Sequence, residues 1–311
     1  MKSTIFRILL TTAAAASVGI GCVNEEREVH DPAVELAFDP VMHVQVRSET
    51  GEQQTSDEAD SFGVSAWHLD ETTTWSVDAE SAEPVLDMEP LVRDGALWYP
   101  QSRIDWPAKQ YRLNCIGFAP FEAVTTCSPT EGVVFDGVDT SSDPGDLRYS
   151  EPQTELAKSR NGGVITLPMI PALCEIDFCV KGVSGYDDTN VYVRHIAIDK
   201  IAVRGSFHSL PDPTWTLAPD PGSIDFFDGD TRVGPEPLNV GEKRRVIPQE
   251  TDGVIVVDYE FETPDGNRLH QVVEDLALKR SFEAGRHYTI TLAVSPAGVE
   301  VIVENPSQID E

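Results

Sequence analysis

The stretch Val34-Glu35-Leu36-Ala37-Phe38-Asp39-Pro40-Val41-Met42-His43-Val44-Gln45-Val46 decides the fold class. Val34, Leu36, Phe38, Met42, Val44 and Val46 take the even positions and alternate with Glu35, Ala37, Asp39, His43 and Gln45. Successive side chains of an extended chain point to opposite faces, so this period of two predicts a half-buried β-strand, kinked or broken at Pro40. The strand ends at Arg47. Residues 48–61 (SETGEQQTSDEADS) carry almost no apolar side chain and read as a solvated loop.

Downstream, short apolar runs bounded by turn residues continue the pattern. Phe62 to Leu69, Thr73 to Val77, Ala96 to Tyr99, Tyr111 to Ala119, Val164 to Met169 and Ala172 to Val180 read as strands, joined by Pro- and Asp-rich connections such as Asp139 to Asp146. Val191 to Val203 and Gly253 to Phe261 repeat the texture, and His287 to Val294 is set to pair with Val299 to Glu304 across Pro296-Ala297-Gly298. Helical periodicity is nearly absent, with Gln153 to Arg160 the best candidate. The sequence therefore predicts an all-β protein. The compact break Gly182 to Asn190 places a boundary near residue 184, giving an N-terminal β-sandwich over 48–184, completed by strand 33–46, and a C-terminal one over 185–311.

Upstream, Lys2 and Arg7 precede a mainly apolar run, Ile8 to Ile20, that stops at Gly21-Cys22. A dozen or so residues are too short to cross a bilayer core of ~30 Å as a helix, so residues 1–21 read as a lipoprotein signal peptide. Cys22 is then the expected lipidation site and residues 22–47 hold a tether and the first strand. One acyl chain holds weakly, so a firm anchor needs more than one on that cysteine.

With 53 acidic against 23 basic side chains the formal charge is −30, which repels nucleic-acid phosphates and anionic headgroups. Nucleic acid is not an expected partner. Cys115, Cys127, Cys174 and Cys179 allow three disulfide connectivities in an oxidising compartment, and Cys115 with Cys127 would close a hairpin-sized loop. Cys174 and Cys179 have opposite parity on one strand and should face apart. No tight Cys or His pairing suggests zinc, and no cofactor fingerprint is present, so no metal and no cofactor are expected.

The chemistry-bearing residues read quietly. No nucleophile elbow or phosphate loop occurs, and with so many carboxylates no glycosidase pair stands out, so the chain is not expected to be an enzyme. The acidic runs Asp225 to Asp230 and Asp139 to Asp146 depart from calcium-loop spacing and read as solvated turns. Trp67, Trp75, Trp98, Trp106 and Trp215 suit either glycan stacking or core packing, and Trp67 and Trp98 sit in strands where packing is the natural use.

Leu97-Trp98-Tyr99-Pro100, Asp105-Trp106-Pro107 and Leu113-Asn114-Cys115-Ile116-Gly117-Phe118-Ala119-Pro120 together resemble the fimbrillin family of type V pili. Asp146-Leu147-Arg148-Tyr149-Ser150, the strand Ala172 to Lys181 and the approach Phe282 to Leu292 are similar to later motifs of that family in the same order. Pro171 and Glu175 depart from it, standing where histidine and lysine are common.

The resemblance implies two tandem transthyretin-like β-sandwich domains, antiparallel and of Greek-key type, in a cell-surface lipoprotein held in the outer membrane through Cys22. It implies partners in the form of other fimbrial subunits, with a host or bacterial surface ligand at the tip. It also implies that an arginine-specific protease cuts after Arg47 and removes the strand bearing Val34, Leu36, Phe38, Met42, Val44 and Val46. An incoming strand from a neighbour then fills the vacated groove, and Val299, Val301 and Val303 repeat the two-residue cadence a donor needs. The competing expectation is a surface glycan-binding lipoprotein of a polysaccharide uptake system.

Overall fold

The computed structural model describes residues 33–42, 61–70, 72–108, 111–158, 163–183, 190–263 and 265–309. About 67% of the described residues are strand and 4% helix, which makes the fold all-β.

The first ten strands are β1 (Ala37–Met42), β2 (Phe62–Asp70), β3 (Glu83–Asp94), β4 (Leu97–Pro100), β5 (Tyr111–Ala119), β6 (Thr126–Ser128), β7 (Gly132–Asp139), β8 (Arg148–Tyr149), β9 (Gln153–Leu156) and β10 (Val164–Pro171). Hydrogen-bonded neighbours run β2-β3-β4-β1-β10-β8-β5, and β5 pairs back on β2 with β9 alongside, so the sheet closes on itself. Closure removes free edges. Leu36, Phe38, Val64, Leu113, Ile165, Leu167 and Met169 fill the interior at 0–1% exposure.

The outer face of β2 and β5 is apolar as well. Trp67, Ile116 and Phe118 point outward and pack with Phe135 and Phe207, which belong to a small second sheet. This is why Leu113 to Ala119 reads as an almost unbroken apolar run: both faces of that strand are covered.

The remaining strands are β11 (Cys174–Gly182), β12 (Val191–Ile201), β13 (Arg204–His208), β14 (Thr214–Leu217), β15 (Gly222–Val233), β16 (Leu238–Val246), β17 (Gln249–Glu262), β18 (Arg268–Phe282), β19 (Arg286–Ser295), β20 (Gly298–Val303) and β21 (Ser307–Gln308). Sheets β16-β11-β19-β20 and β15-β12-β17-β18 enclose a second core around Ile176, Phe178, Ile196, Ile255, Ile290 and Leu292. The small sheet runs β14-β13-β7-β6 and so joins strands from both halves of the sequence.

Three local expectations differ from the structure. Thr73 to Val77 is not a strand: Trp75–Asp78 forms one helical turn, with the Asp78 carboxylate accepting from the Thr74 N–H at 3.2 Å. Gln153 to Arg160 does not begin as a helix, because Gln153–Leu156 pairs with Leu113 and Cys115 of β5, and tertiary pairing overrides a weak local preference. Sheet membership changes at Pro171-Ala172-Leu173 rather than at residue 184, since β11 already lies in the second sandwich. That crossing is buried and held by Ala172 N–H to Leu147 O and Gly285 N–H to Leu173 O. A buried apolar link carries no polar linker signature.

Candidate functional site

The seat of β1 is held by β10 on one side and by β4 and residues 104–106 on the other. Along its length β1 pairs in parallel with β10, from Ala37 opposite Val164 to Met42 opposite Met169. On its other side it meets β4 only at Phe38 opposite Trp98. The Leu36 N–H donates to Ile104 O and the Ala37 N–H to Gly163 O, so even-numbered amides point toward β4 and odd-numbered ones toward β10. Pro40, an even position, therefore lacks its donor on the side where pairing has already stopped. A proline fits inside this strand at no loss of a ladder bond.

Leu36 and Phe38 are completely buried in the barrel core, and Val34 and Met42 are partly buried against it. Burying the first two contributes about 1.5–3 kcal/mol each. Taking β1 out would leave β4 and β10 facing each other across an apolar slot, with unpaired main-chain groups on both sides.

A strap made of residues 103–106 crosses the amino end of this strand. The Trp106 N–H donates to Val34 O at 2.9 Å, and Glu35 bridges to Asp105. The Trp106 indole Nε1–H donates to Gly163 O at 2.9 Å, the same carbonyl that accepts from Ala37. Gly163 has φ +93°, and a Cβ there would lie 2.7 Å from Val34 Cγ1, so only glycine fits. Arg103 holds Glu35 Oε2 and Asp94 Oδ2, each at 2.8 Å, with its guanidinium 3.8 Å from the centre of the Tyr99 ring. Asp94 first, then Glu35, keep that guanidinium more firmly protonated than usual. Arg103 and its strap were not singled out by the sequence; nothing local marks that arginine.

At the other end of the chain, Val299, Val301 and Val303 lie on β20 and are partly buried against the second core. β20 pairs with β19 from Val294 opposite Val299 to Ile290 opposite Val303. The ribbon continues along the same strand through Glu304 N–H to Thr289 O, β21 beside Arg286 and His287, and Ile309 N–H to Gly285 O. Among the described residues β19 is its only strand partner, so its outer edge is open. Cys22, Val44, Val46 and Arg47 lie outside the described residues.

The remaining candidates serve packing. Trp67 and Trp106 are buried; Trp75 lies 5.7 Å from the Trp67 ring, Trp98 sits edge-on to Phe62, and Trp215 donates to Ala172 O. Asp139 accepts from Ser141 and Arg204 and titrates at about 2 because of those bonds, Ser141 first. Asp225 pairs with His195 at 3.0 Å. Among the described residues no cluster of His, Cys, Asp and Glu could hold a metal ion. No described helix is long and apolar enough to cross a membrane.

All four described cysteines are free thiols. Cys115 faces the barrel interior beside Leu113, whereas Cys127 lies with Ile116 and Phe118 on the outer side, so the β2–β5 layer separates them and the loop-closing bond is not formed. Cys174 is in the second core and Cys179 on the opposite face of β11, donating to Asn239 Oδ1 at 2.7 Å. Burial pushes the Cys127 thiol up to about 12, and raises Cys115 and Cys174 further.

No family model matches the chain, and no curated protein matches it. Solved structures do. A fimbrial protein from Bacteroides vulgatus superposes with a TM-score of 0.71 at 17% identity, covering 89% of this chain and 99% of its own. A candidate cell adhesion protein from Bacteroides uniformis gives 0.55 at 15% identity over 90% and 99%. Another from Bacteroides ovatus gives 0.56 at 12% identity over 89% and 98%. At such identities the likeness is one of fold, and it extends over nearly the full length of each chain.

Proposed function

We propose that this chain is a structural, adhesive subunit of a cell-surface fimbrium, without chemistry of its own, and that subunits join when β1 leaves its seat and a neighbour's C-terminal strand takes its place. The observation that carries the reading is β1 itself: a strand near the amino end whose Leu36 and Phe38 plug the core of an otherwise closed barrel. A strand with that position is removable by one cut on its carboxyl side, and Arg47 supplies a trypsin-like site five residues beyond Met42. The slot then offers both unpaired backbone and empty apolar pockets, the two things that strand addition satisfies together.

The fimbrial and adhesion proteins that share the fold support the same reading, as does the engagement of all five tryptophans in internal contacts, which leaves little for glycan stacking. The export route completes the proposal: cleavage before Cys22, lipid on its thiol, transport to the outer membrane, and assembly with other fimbrial subunits at the surface.

The test is treatment of the mature chain, residues 22–311, with an arginine-specific protease. Cleavage after Arg47 followed by a ladder of oligomers resistant to mild denaturant is the expected result. A chain that is cut there and stays monomeric with an empty slot, or an Arg47→Ala variant that assembles as well as the parent, counts against it.

A further inference from the structure

The strand in the slot and the C-terminal ribbon share one pattern of side chains. Val34-Glu35-Leu36-Ala37-Phe38-Asp39 and Val299-Glu300-Val301-Ile302-Val303-Glu304 match residue for residue as one apolar, one acidic, three apolar and one acidic position. In the resident strand the first acidic position is held by a specific cation: Arg103 grips Glu35 at 2.8 Å while Asp94 and Tyr99 fix the guanidinium from behind. We propose that Arg103 sets the register of the joint between two copies, receiving Glu300 of the incoming C-terminal strand where it now holds Glu35. Val301 then enters the pocket of Leu36 and Val303 that of Phe38. The inference rests on the strand-exchange reading and adds to it the residue that selects one alignment.

The alternatives fail for physical reasons. A slip of one residue puts Glu300 on the seat of Leu36 in one direction, or Glu304 on the seat of Phe38 in the other, placing a carboxylate in the barrel core. A slip of two keeps the parity but moves Glu300 in one direction, or Glu304 in the other, onto the seat of Ala37, which is only 4% exposed. Both even slips also take the carboxylate away from Arg103. The aligned register alone gives Arg103 its partner, keeps the core apolar and leaves Glu304 at the half-buried seat of Asp39.

The same comparison explains why the resident strand must go first. Valines are smaller than the Leu36 and Phe38 they would replace, and Ile302 is larger than Ala37, so the incoming strand fills the slot less well than the resident one. A covalently attached β1 also enjoys the high effective concentration of an intramolecular partner. Only its removal lets a second copy compete.

The test uses the mature chain cleaved after Arg47 and freed of β1, with a fluorescent synthetic peptide of residues 298–309 as probe and anisotropy as readout. The parent peptide should bind, and a Glu300→Lys peptide should bind at least about threefold more weakly, the effect expected of an exposed ion pair turned to repulsion. In an Arg103→Glu chain the preference should reverse, and in Arg103→Gln it should vanish, with circular dichroism confirming that each variant is folded. Equal affinity of the two peptides for parent and Arg103→Glu chains overturns the register assignment while leaving strand exchange intact. Failure of every peptide to bind the processed chain overturns strand exchange itself.

Discussion

Phe38 ties the core, the β4 pairing and the proposed exchange together in one side chain. It is fully buried, packs in the barrel core and sits opposite Trp98, whose indole lies edge-on to Phe62 at 4.9 Å. Replacing it with alanine should destabilise the unprocessed chain by about 3–5 kcal/mol, the usual range for emptying an aromatic core position. Urea unfolding followed through tryptophan fluorescence measures that loss, and the change at Phe38 should make no difference to a chain from which β1 has already been removed. Equal destabilisation of both forms means that β1 does not leave. Phe38 was legible in the sequence because alternation exposes an inward-facing row directly. Arg103 was not, because its partners Glu35 and Asp94 lie 68 and nine positions away and only the closed barrel brings them together.

Among elements, strands with one covered face were readable and strands with unusual surroundings were not. Alternation marked β1 and β12, and the pairing of β19 with β20 followed from an apolar cadence on both sides of a turn. β18 was missed: its inward row, Gln271, Val273, Leu276, Leu278, Arg280 and Phe282, includes two polar side chains and shifts phase at Glu274-Asp275, while Leu269 and Val272 are exposed, so the sequence shows no clean alternation, and its place is fixed by the long ladder to β17. The strap over β1 was equally silent. It is short, and its grip rests on a carbonyl that accepts two bonds at a glycine with positive φ. Gly163→Ala should cost roughly 1–3 kcal/mol, from left-handed backbone strain and the collision with Val34. Hydrogen exchange should localise the damage to Val34–Ala37 and Trp106, leaving β12 and β17 of the second sandwich at parental protection. Uniform loosening of both cores would contradict the local role of the strap.

For the molecule as a whole, composition and turn spacing announced an all-β chain, but closure of the first sheet depends on β5 meeting β2 and on β1 entering between β4 and β10, pairings that no local signal encodes. The result is three apolar clusters, one completed by a strand from the extreme amino end of the described chain, one edged by the carboxyl end, and one on the outer face of β2 and β5. The cysteines report on them independently. Cys115 is fully buried in the barrel core that β1 completes, Cys174 is fully buried in the second core, and Cys179 is half-exposed on an outer face. Burial raises the Cys115 and Cys174 thiols far above their ordinary range, so both are protected by inaccessibility and by scarcity of thiolate. In the intact chain at pH 8 a maleimide should therefore modify Cys179 first and the other two only through rare opening. Cleavage after Arg47 and loss of β1 should speed labelling of Cys115 by an order of magnitude or more while Cys174 keeps its slow rate, and refilling the slot with a C-terminal strand should return Cys115 to protection. Peptide mapping by mass spectrometry distinguishes the sites. If Cys115 and Cys174 accelerate together, the cores are not independent and departure of the first strand unfolds the subunit instead of preparing it for a partner.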